Sequence, residues 1–204
     1  MKKSSMELNE KAFFDEVAPE WDNRNHHDPE KIMDILDTVG LKNGDSVLDV
    51  GCGTGVLVPY VLELIGTNGR IVGLDYSENM LRIAREKFPK ESYPNVDFVF
   101  GGILTYEAYD KFDVVICYSS FPHFPDKAGS IKKMAKLLKP RGKLAICHSQ
   151  GRNHVNKMHK DMGGDMAKVE LPSADIVSRF MAEANLNVQI AIDNDEKYVL
   201  VAVK

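Results

Sequence analysis

The sequence predicts an α/β fold: a Rossmann-like, doubly wound sheet of seven strands, mostly parallel, with a C-terminal antiparallel hairpin. Short apolar runs alternate with helix-like segments over most of the chain, which is typical of parallel strands covered on both faces. Only the last two runs, LNVQIAID and KYVLVAVK, follow one another across a short polar turn, and they predict the hairpin. Three glycines stand directly after the first strand, at the edge where open parallel sheets bind ligands.

The other elements follow in a regular order. Asp28, Pro29 and Gly40 mark the cap, first turn and end of a helix that precedes the first strand. Ser77 is expected to cap the helix after the second strand, and KPRG predicts a turn before the fifth. The strands before the hairpin are SVLDV, RIVGLD, VDFVF, FDVVICYS and GKLAICHS. The helices among and after them are VLVPYVLELIG, SENMLRIAREKF, DKAGSIKKMAKLLK and SADIVSRFMAEA.

The chain is expected to form a single domain over residues 1–204, with two segments outside the strand–helix alternation. Residues 1–40 are predicted to form an N-terminal helical cover. Residues 150–172 are longer than a usual connection between elements and are predicted to be an insertion and candidate lid. Val155, Met158 and Met162 indicate a short helix within that insertion.

Composition narrows the class of protein. The 204 residues carry a formal net charge of −4, so we expect neither nucleic acid nor an anionic membrane surface as a partner. No apolar run approaches the roughly 18 residues of a membrane span, and the first residues do not resemble a secretory signal. Cys52, Cys117 and Cys147 do not pair evenly, which favours reduced thiols in a cytoplasmic protein. The oligomeric state is left open.

The glycine-rich corner predicts a nucleoside site. Gly51, Gly53 and Gly55 allow close approach of the backbone to a ligand, and a carboxylate at the end of the second strand, Asp75, suits two ribose hydroxyls. A dinucleotide site would have glycine where valine stands at position 56. Asp49 lies close to the corner and suits an ammonium group better than a pyrophosphate, so the ligand tail is expected to be an amino acid.

The motifs also resemble a known family. VLDVGCGTG followed by GLDYSENML resembles the first two motifs of class I S-adenosylmethionine-dependent methyltransferases. FDVVICYSSFPHFPD and KMAKLLKPRGKLAI are similar to the fourth-strand motif and to the helix and strand that follow it. FFDEVAPEWD resembles the entry segment of a small-molecule branch that includes quinone-biosynthesis methyltransferases. The resemblance implies S-adenosylmethionine as cofactor and a small-molecule methyl acceptor.

The same resemblance implies a set of cofactor-binding positions. They lie in the glycine corner, after the second, third and fourth strands, and in the N-terminal segment. The positions are Asp49, Gly51, Cys52, Gly53, Gly55, Asp75, Tyr76, Met80, Gly102, Ile103, Cys117 and Trp21. The family commonly has an aspartate where Gly102 stands, so recognition of the adenine amino group by a side chain is not expected here.

Histidines are the candidate catalytic groups. His123 and His148 follow the fourth and fifth strands and are predicted to act as base or substrate ligands, with His154 or His159 closing over them. The alternative is that they are polar residues at the rim of a cleft. His154 and His159 are five positions apart and would face different sides of a helix, so no metal site is predicted. His26 and His27 lie in a polar stretch and are expected to be exposed to solvent.

Methyl transfer from S-adenosylmethionine to a small molecule is therefore the predicted function. Two alternatives stay open at this point: a nicotinamide-dependent oxidoreductase, and a non-catalytic module that binds S-adenosylmethionine. The sequence leaves open whether O, N, S or C is methylated.

Overall fold

A computed structural model describes residues 5–204, with side chains described from Glu10 onward. The strands are β1 Ser46–Val50, β2 Arg70–Asp75, β3 Val96–Phe100, β4 Phe112–Tyr118, β5 Leu138–His148, β6 Asn187–Asp193 and β7 Tyr198–Val203. The helices are α1 Ser5–Val17, α2 Trp21–Arg24, α3 Pro29–Val39, α4 Val58–Ile65, α5 Glu78–Lys87, α6 Lys127–Leu137, α7 Arg152–Met162 and α8 Ala174–Glu183. Single 3₁₀ turns lie at Ala18–Glu20, Phe121–His123 and Met166–Lys168.

The strands form one seven-stranded sheet in the order β3-β2-β1-β4-β5-β7-β6. β1 to β5 are parallel neighbours, whereas β7 runs antiparallel to both β5 and β6. The predicted fold class, including the terminal hairpin, is confirmed. Because the strand order reverses beside β1, the carboxyl ends of β1 and β4 form the point where such sheets bind ligands.

The core lies on both faces of the sheet. One apolar cluster joins the sheet to α3 and α4 through residues such as Ile35 and Val61, and the other joins it to α6 and α8 through residues such as Met134 and Val177. All five residues of β1 are buried, which explains why that strand is apolar apart from Ser46 and Asp49. A polar side chain at such a position stands out against its surroundings.

Local signals set the helix boundaries. The Asp28 carboxylate accepts a hydrogen bond from the Glu30 amide at 2.9 Å, and the Ser77 hydroxyl accepts one from the Met80 amide at 3.2 Å, as both predicted caps require. Gly40 ends α3 with a φ of 69°. The next helix was predicted from Val56 but begins at Val58, with a proline in its first turn.

The KPRG segment differs from the prediction. It lies within β5 rather than in a turn before it, because Leu138 pairs with Phe112 before the register shifts to Lys143 and Val114. Turn geometry persists at Arg141, whose φ is 64° and whose amide donates to the Lys204 carbonyl at 3.1 Å. The segment is therefore an irregularity inside the strand.

The insertion contains the predicted helix and Val155 is buried as expected, but His159 rather than Met162 lies on its buried face. α7 ends before Gly163, as expected. Its buried residues are Val155 and His159, while Met162 is 51% exposed. His159 is buried because its Nδ1 lies 3.1 Å from the Val169 carbonyl oxygen, which donates no proton and so accepts one from the ring. None of the helices within residues 5–204 has the length and apolarity needed to cross a membrane.

Candidate active site

The glycine corner turns sharply at the end of β1. Gly51 has a φ of 75°, and a Cβ there would lie 2.5 Å from the Cβ and Oγ atoms of Ser120. The Gly51 amide donates to the Leu74 carbonyl at 2.7 Å, which ties the corner to β2. By contrast, a Cβ at Gly53 or Gly102 would meet no atom within 4 Å. The corner is thus packed on the sheet side and open on the other.

Asp75 links this corner to α5. Its two carboxylate oxygens accept hydrogen bonds from the Gly53 amide at 2.8 Å and the Ser77 amide at 2.9 Å. Burial raises the pKa of Asp75, and these backbone hydrogen bonds oppose that effect. Each carboxylate oxygen has a further lone pair, so Asp75 can still accept hydrogen bonds from a ligand.

Asp49 is the most unusual carboxyl group in the described part of the sheet. It is 1% exposed, and neither of its oxygens has a hydrogen-bond partner among the residues that the structure describes. Burial, together with the nearby Asp75, raises its pKa to about 8. A buried carboxyl in this state would be stabilised by a cationic ligand group.

The other predicted cofactor positions surround the corner. Met80 and Ile103 are buried at 2% and 6% exposure, and Tyr76 is half-buried. Cys52 is buried within the corner itself, and burial raises the pKa of its thiol. Cys117 is fully buried beneath the corner, with its sulfur 3.1 Å from the Ser120 hydroxyl. Their roles in binding stay predictions.

The N-terminal helices pack over this side of the molecule. The Ser77 hydroxyl donates to the Asp15 carboxylate at 2.6 Å, and the Asn79 amide donates to the Asp15 carbonyl at 2.8 Å. The Phe14 ring makes edge contacts with Trp21 at 5.6 Å and with Tyr76 at 6.2 Å between centroids. Trp21 thus belongs to a layer above α5, where the sequence placed a cover. Residues 1–4 of the predicted cover lie outside the described residues.

Glu10, His123, His148 and His159, here called the histidine cluster, meet beside the ends of β4 and β5. Nδ1 of His123 lies 3.7 Å from Oε1 of Glu10, and the His123 and His159 rings are 5.1 Å apart. The Phe14 ring contacts His123 edge-on at 5.0 Å. The four side chains come from α1, the turn after β4, β5 and α7, so distant parts of the sequence form the cluster.

The cluster is buried and incompletely hydrogen-bonded. Burial lowers the pKa of His148 to about 3, helped by the adjacent His123 and His159. Burial and His123 lower the pKa of His159 to about 4, so both rings are neutral near pH 7. Within the described part of the chain, four buried atoms here have no hydrogen-bond partner: Oε1 of Glu10, Nδ1 of His123, Nε2 of His148 and the hydroxyl of the adjacent Tyr198. Because such atoms are costly, they mark a place suited to a polar ligand.

The structure brings together most, but not all, of the predicted groups. His123, His148 and His159 lie in one cluster, whereas His154 is exposed on α7. Sequence reasoning missed Glu10; its position one turn before Phe14 on a helix predicted to cover the site was the available signal. It also placed His27 in solvent, which is wrong: the His27 ring nitrogen lies 3.0 Å from the Tyr118 hydroxyl.

Within the described residues, no group of three or more His, Cys, Asp or Glu side chains has an arrangement that could hold a metal ion.

The sequence of this chain is similar to those of known methyltransferases. Residues 41–200 match a family model described as a methyltransferase domain. A demethylmenaquinone methyltransferase of Listeria welshimeri is 32% identical over 138 residues, which are 65% of this chain and 58% of that protein. The chain therefore spans less than two thirds of the length of such curated relatives.

Solved structures share the fold. A SAM-dependent methyltransferase from Aquifex aeolicus superposes with a TM-score of 0.71 at 22% identity, covering 95% of this chain and 97% of that one. A phosphoethanolamine N-methyltransferase from Haemonchus contortus, solved with phosphomonomethylethanolamine and S-adenosylhomocysteine, gives a TM-score of 0.75 at 19% identity, covering 99% and 60%. With the family match, the resemblance inferred from the glycine and second-strand motifs is confirmed.

Proposed function

Because this chain belongs to the methyltransferase domain family, we propose that it is an enzyme that transfers the methyl group of S-adenosylmethionine to a small-molecule acceptor. The observation that carries the proposal is the buried, unpartnered Asp49 carboxyl beside an open glycine corner. A ligand that brings an ammonium group to this place would satisfy it. The amino-acid tail of S-adenosylmethionine has such a group.

The residues present fit this cofactor. Asp49 would hold the ammonium group, and the open backbone at Gly53 would line the methionine portion. Asp75, already fixed by two backbone amides, would accept the ribose hydroxyls. Met80 and Ile103 offer buried apolar surface for the adenine. Cys52, Cys117 and Trp21 remain proposed contacts because each lies in or next to this shell.

When bound, the cofactor supplies an electrophilic sulfonium methyl group. The protein's part is to hold the acceptor in line with that methyl, at about 3–3.5 Å, and to exclude water. The N-terminal helices support the second task, because Phe14 and Trp21 cover the region above α5. We propose that residues 10–40, together with the 150–172 insertion as a lid, determine the acceptor within a single domain.

The acceptor is proposed to be a small molecule in a reduced, cytoplasmic setting. A net charge of −4 and three unpaired, buried cysteines support this assignment. The curated relatives are named for demethylmenaquinone, but the shorter length of this chain leaves the identity of its own acceptor open to experiment.

A nicotinamide-dependent oxidoreductase is the less favoured alternative. Val56 stands where the third glycine of a dinucleotide motif is expected, and the Asp49 carboxyl would face a diphosphate. A non-catalytic binding module would share the cofactor site but would not need the histidine cluster.

Isothermal titration with S-adenosylmethionine, S-adenosylhomocysteine and NADH distinguishes these functions. We expect both sulfur compounds to bind and NADH to give no heat of binding. Transfer of a tritiated methyl group to a metabolite extract then separates an enzyme from a binding module. Binding of NADH alone would contradict the proposed function.

A further inference from the structure

The histidine cluster contains a carboxylate–imidazole pair that the proposed function does not itself require. From its geometry we infer that His123 is the general base for an acceptor carrying an O–H or N–H nucleophile, and that Glu10 is the positioning residue for its ring. This inference rests on the proposed methyl transfer and names the class of acceptor: a compact, polar, protic molecule.

Geometry assigns separate roles to the two nitrogens of His123. Nδ1 is buried and faces Oε1 of Glu10 at 3.7 Å, and neither atom has a hydrogen-bond partner among the side chains described from Glu10 onward. Bonds of this kind are often long before a substrate is bound and shorten in the reactive complex. A carboxylate beside Nδ1 favours the tautomer with the proton on Nδ1, which leaves the Nε2 lone pair free to accept a proton.

The neighbouring histidines are less suited to be the base. His159 is held with its Nδ1 3.1 Å from the Val169 carbonyl, and His148 is 4% exposed with an unpartnered Nε2. Their lowered pKa values, about 3 and about 4 for His148 and His159, make both weak bases. They are better suited to hydrogen-bond the acceptor.

Charged groups from several elements surround His123. Glu10 of α1 lies on one side, and Lys127 of α6, whose ammonium donates to the Pro122 carbonyl at 2.8 Å, lies on another. Lys127 also interacts electrostatically with Glu10 and Glu170. This cation offsets part of the cost of burying the Glu10 carboxylate.

Burial indicates the size and polarity of the acceptor. Glu10, His148 and His159 are 5%, 4% and 2% exposed, and the His123 side chain is 11% exposed. Such burial favours a compact molecule that can form hydrogen bonds with the polar atoms of the cluster. An extended apolar acceptor would leave those atoms unsatisfied.

The proposed methyl transfer couples one proton transfer to one substitution at the methyl carbon. The acceptor proton passes to Nε2 of His123 while the acceptor lone pair forms a bond to the methyl carbon. When bound, S-adenosylmethionine would supply that methyl carbon, and the electron pair of the broken carbon–sulfur bond would stay with its sulfur as a neutral thioether. Glu10 stabilises the imidazolium that results.

The first test needs no acceptor. In ¹⁵N spectra of the whole protein, with the His123 signals assigned by their loss in His123→Gln, we expect the wild-type ring to carry its proton on Nδ1 near pH 8. Glu10→Gln should shift the ring toward the Nε2–H tautomer, whereas the exposed Glu16→Gln on the same helix should not. An Nε2–H tautomer in the wild type would overturn the assignment.

The second test measures methyl transfer to catechol, ethanolamine and 2-mercaptoethanol. His123→Gln should reduce transfer to catechol at least roughly 100-fold, and Glu10→Gln about 10-fold. The thiol, partly ionised without a base, should depend less on His123. The exposed His26→Gln is the matched control. If none of the three compounds is methylated, the proposed acceptor class is overturned.

Binding of S-adenosylhomocysteine tests the proposed function separately from the assignment of His123 as the base. If the wild-type protein does not bind S-adenosylhomocysteine, the proposed function itself is refuted. Wild-type affinity in His123→Gln with unchanged turnover would refute only the base. Stabilisation of the protein by Zn²⁺ that depends on His123 would instead make the cluster a metal site and overturn the inference.

Discussion

The glycine corner and the histidine cluster lie at the same edge of the sheet but are built differently. The corner uses residues 49–55 and the adjacent Asp75, and its main contacts are backbone amides. The cluster brings together side chains from residues 10, 123, 148 and 159, with few hydrogen bonds among them. The first therefore depends on backbone conformation, whereas the second depends on the packing of separate elements.

The substitution with the largest expected effect tests whether the glycine corner depends on its backbone conformation. Gly51→Ala should lower the free energy of unfolding by roughly 2–4 kcal/mol, because a Cβ at positive φ is strained and this one would meet Ser120. Urea denaturation measures the loss. Gly53→Ala is the control: its φ is also positive, but its Cβ would meet nothing within 4 Å. Equal losses in the two variants would contradict the close-packing explanation.

Asp75→Ala tests the carboxylate that joins the corner to α5. Calorimetry with S-adenosylhomocysteine should show binding weaker by about 1.5–3 kcal/mol, at least tenfold, because charge-assisted hydrogen bonds to the ribose are lost. Asp97→Ala, an exposed carboxylate on β3, should bind as the wild type does. An unchanged affinity in Asp75→Ala would refute the ribose assignment.

Asp49→Asn should separate stability from binding. The folded state keeps a proton on Asp49 up to about pH 8, whereas the unfolded chain releases it near pH 3.8. The free energy of unfolding of the wild type therefore falls as pH rises between these values. We expect the variant to be more stable at pH 8 by about 1–2 kcal/mol, yet weaker in binding the cofactor.

Thermal unfolding at pH 5 and pH 8 provides the measurement for Asp49. The gain in the variant should be larger at pH 8, and wild-type binding should release a proton below that pH. A gain that is independent of pH would show that Asp49 is not protonated in the free protein.

His148→Phe examines the cluster and should have the smallest effect on stability. Replacing a buried imidazole, whose Nε2 has no hydrogen-bond partner among the described residues, by an apolar ring should change the free energy of unfolding at pH 7 by less than about 1 kcal/mol. Cofactor affinity should persist while turnover falls. A large loss of cofactor affinity would mean that the two regions are not separate.

The pH dependence of stability that results from His148 has the opposite sign to the one that results from Asp49. The His148 pKa is lowered from 6.5 to about 3. The free energy of unfolding of the wild type is therefore unaffected by protonation of His148 above pH 6.5, and it decreases as the pH falls toward 3. The variant should lose less stability on acidification than the wild type. Identical acid unfolding curves would contradict this assignment.

The same contrast explains what could be predicted from the sequence. Asp28 and Ser77 cap their helices through contacts two or three residues away, so local spacing was sufficient. The glycine corner was equally readable, since Gly51 and Asp75 are fixed by strand ends. Glu10 and His123 are 113 positions apart, and their contact depends on how α1 docks, which no local pattern contains.

Errors elsewhere have the same origin. His27 lies in a polar stretch and was placed in solvent, but docking of the N-terminal segment brings it to Tyr118. Met162 was assigned to the helix stripe in the insertion, yet His159 occupies the buried face because it finds a backbone carbonyl.

The placement of Glu10 on α1 has a consequence for how such proteins are classified. The family match spans residues 41–200, whereas Glu10, Phe14 and Asp15 precede it. Grouping sequences by that match compares their sheets and glycine corners. It does not compare Glu10, which belongs to the histidine cluster. Relatives with nearly equal scores can therefore differ at the position that we propose orients the base, and aligning their first helices is the direct way to divide them.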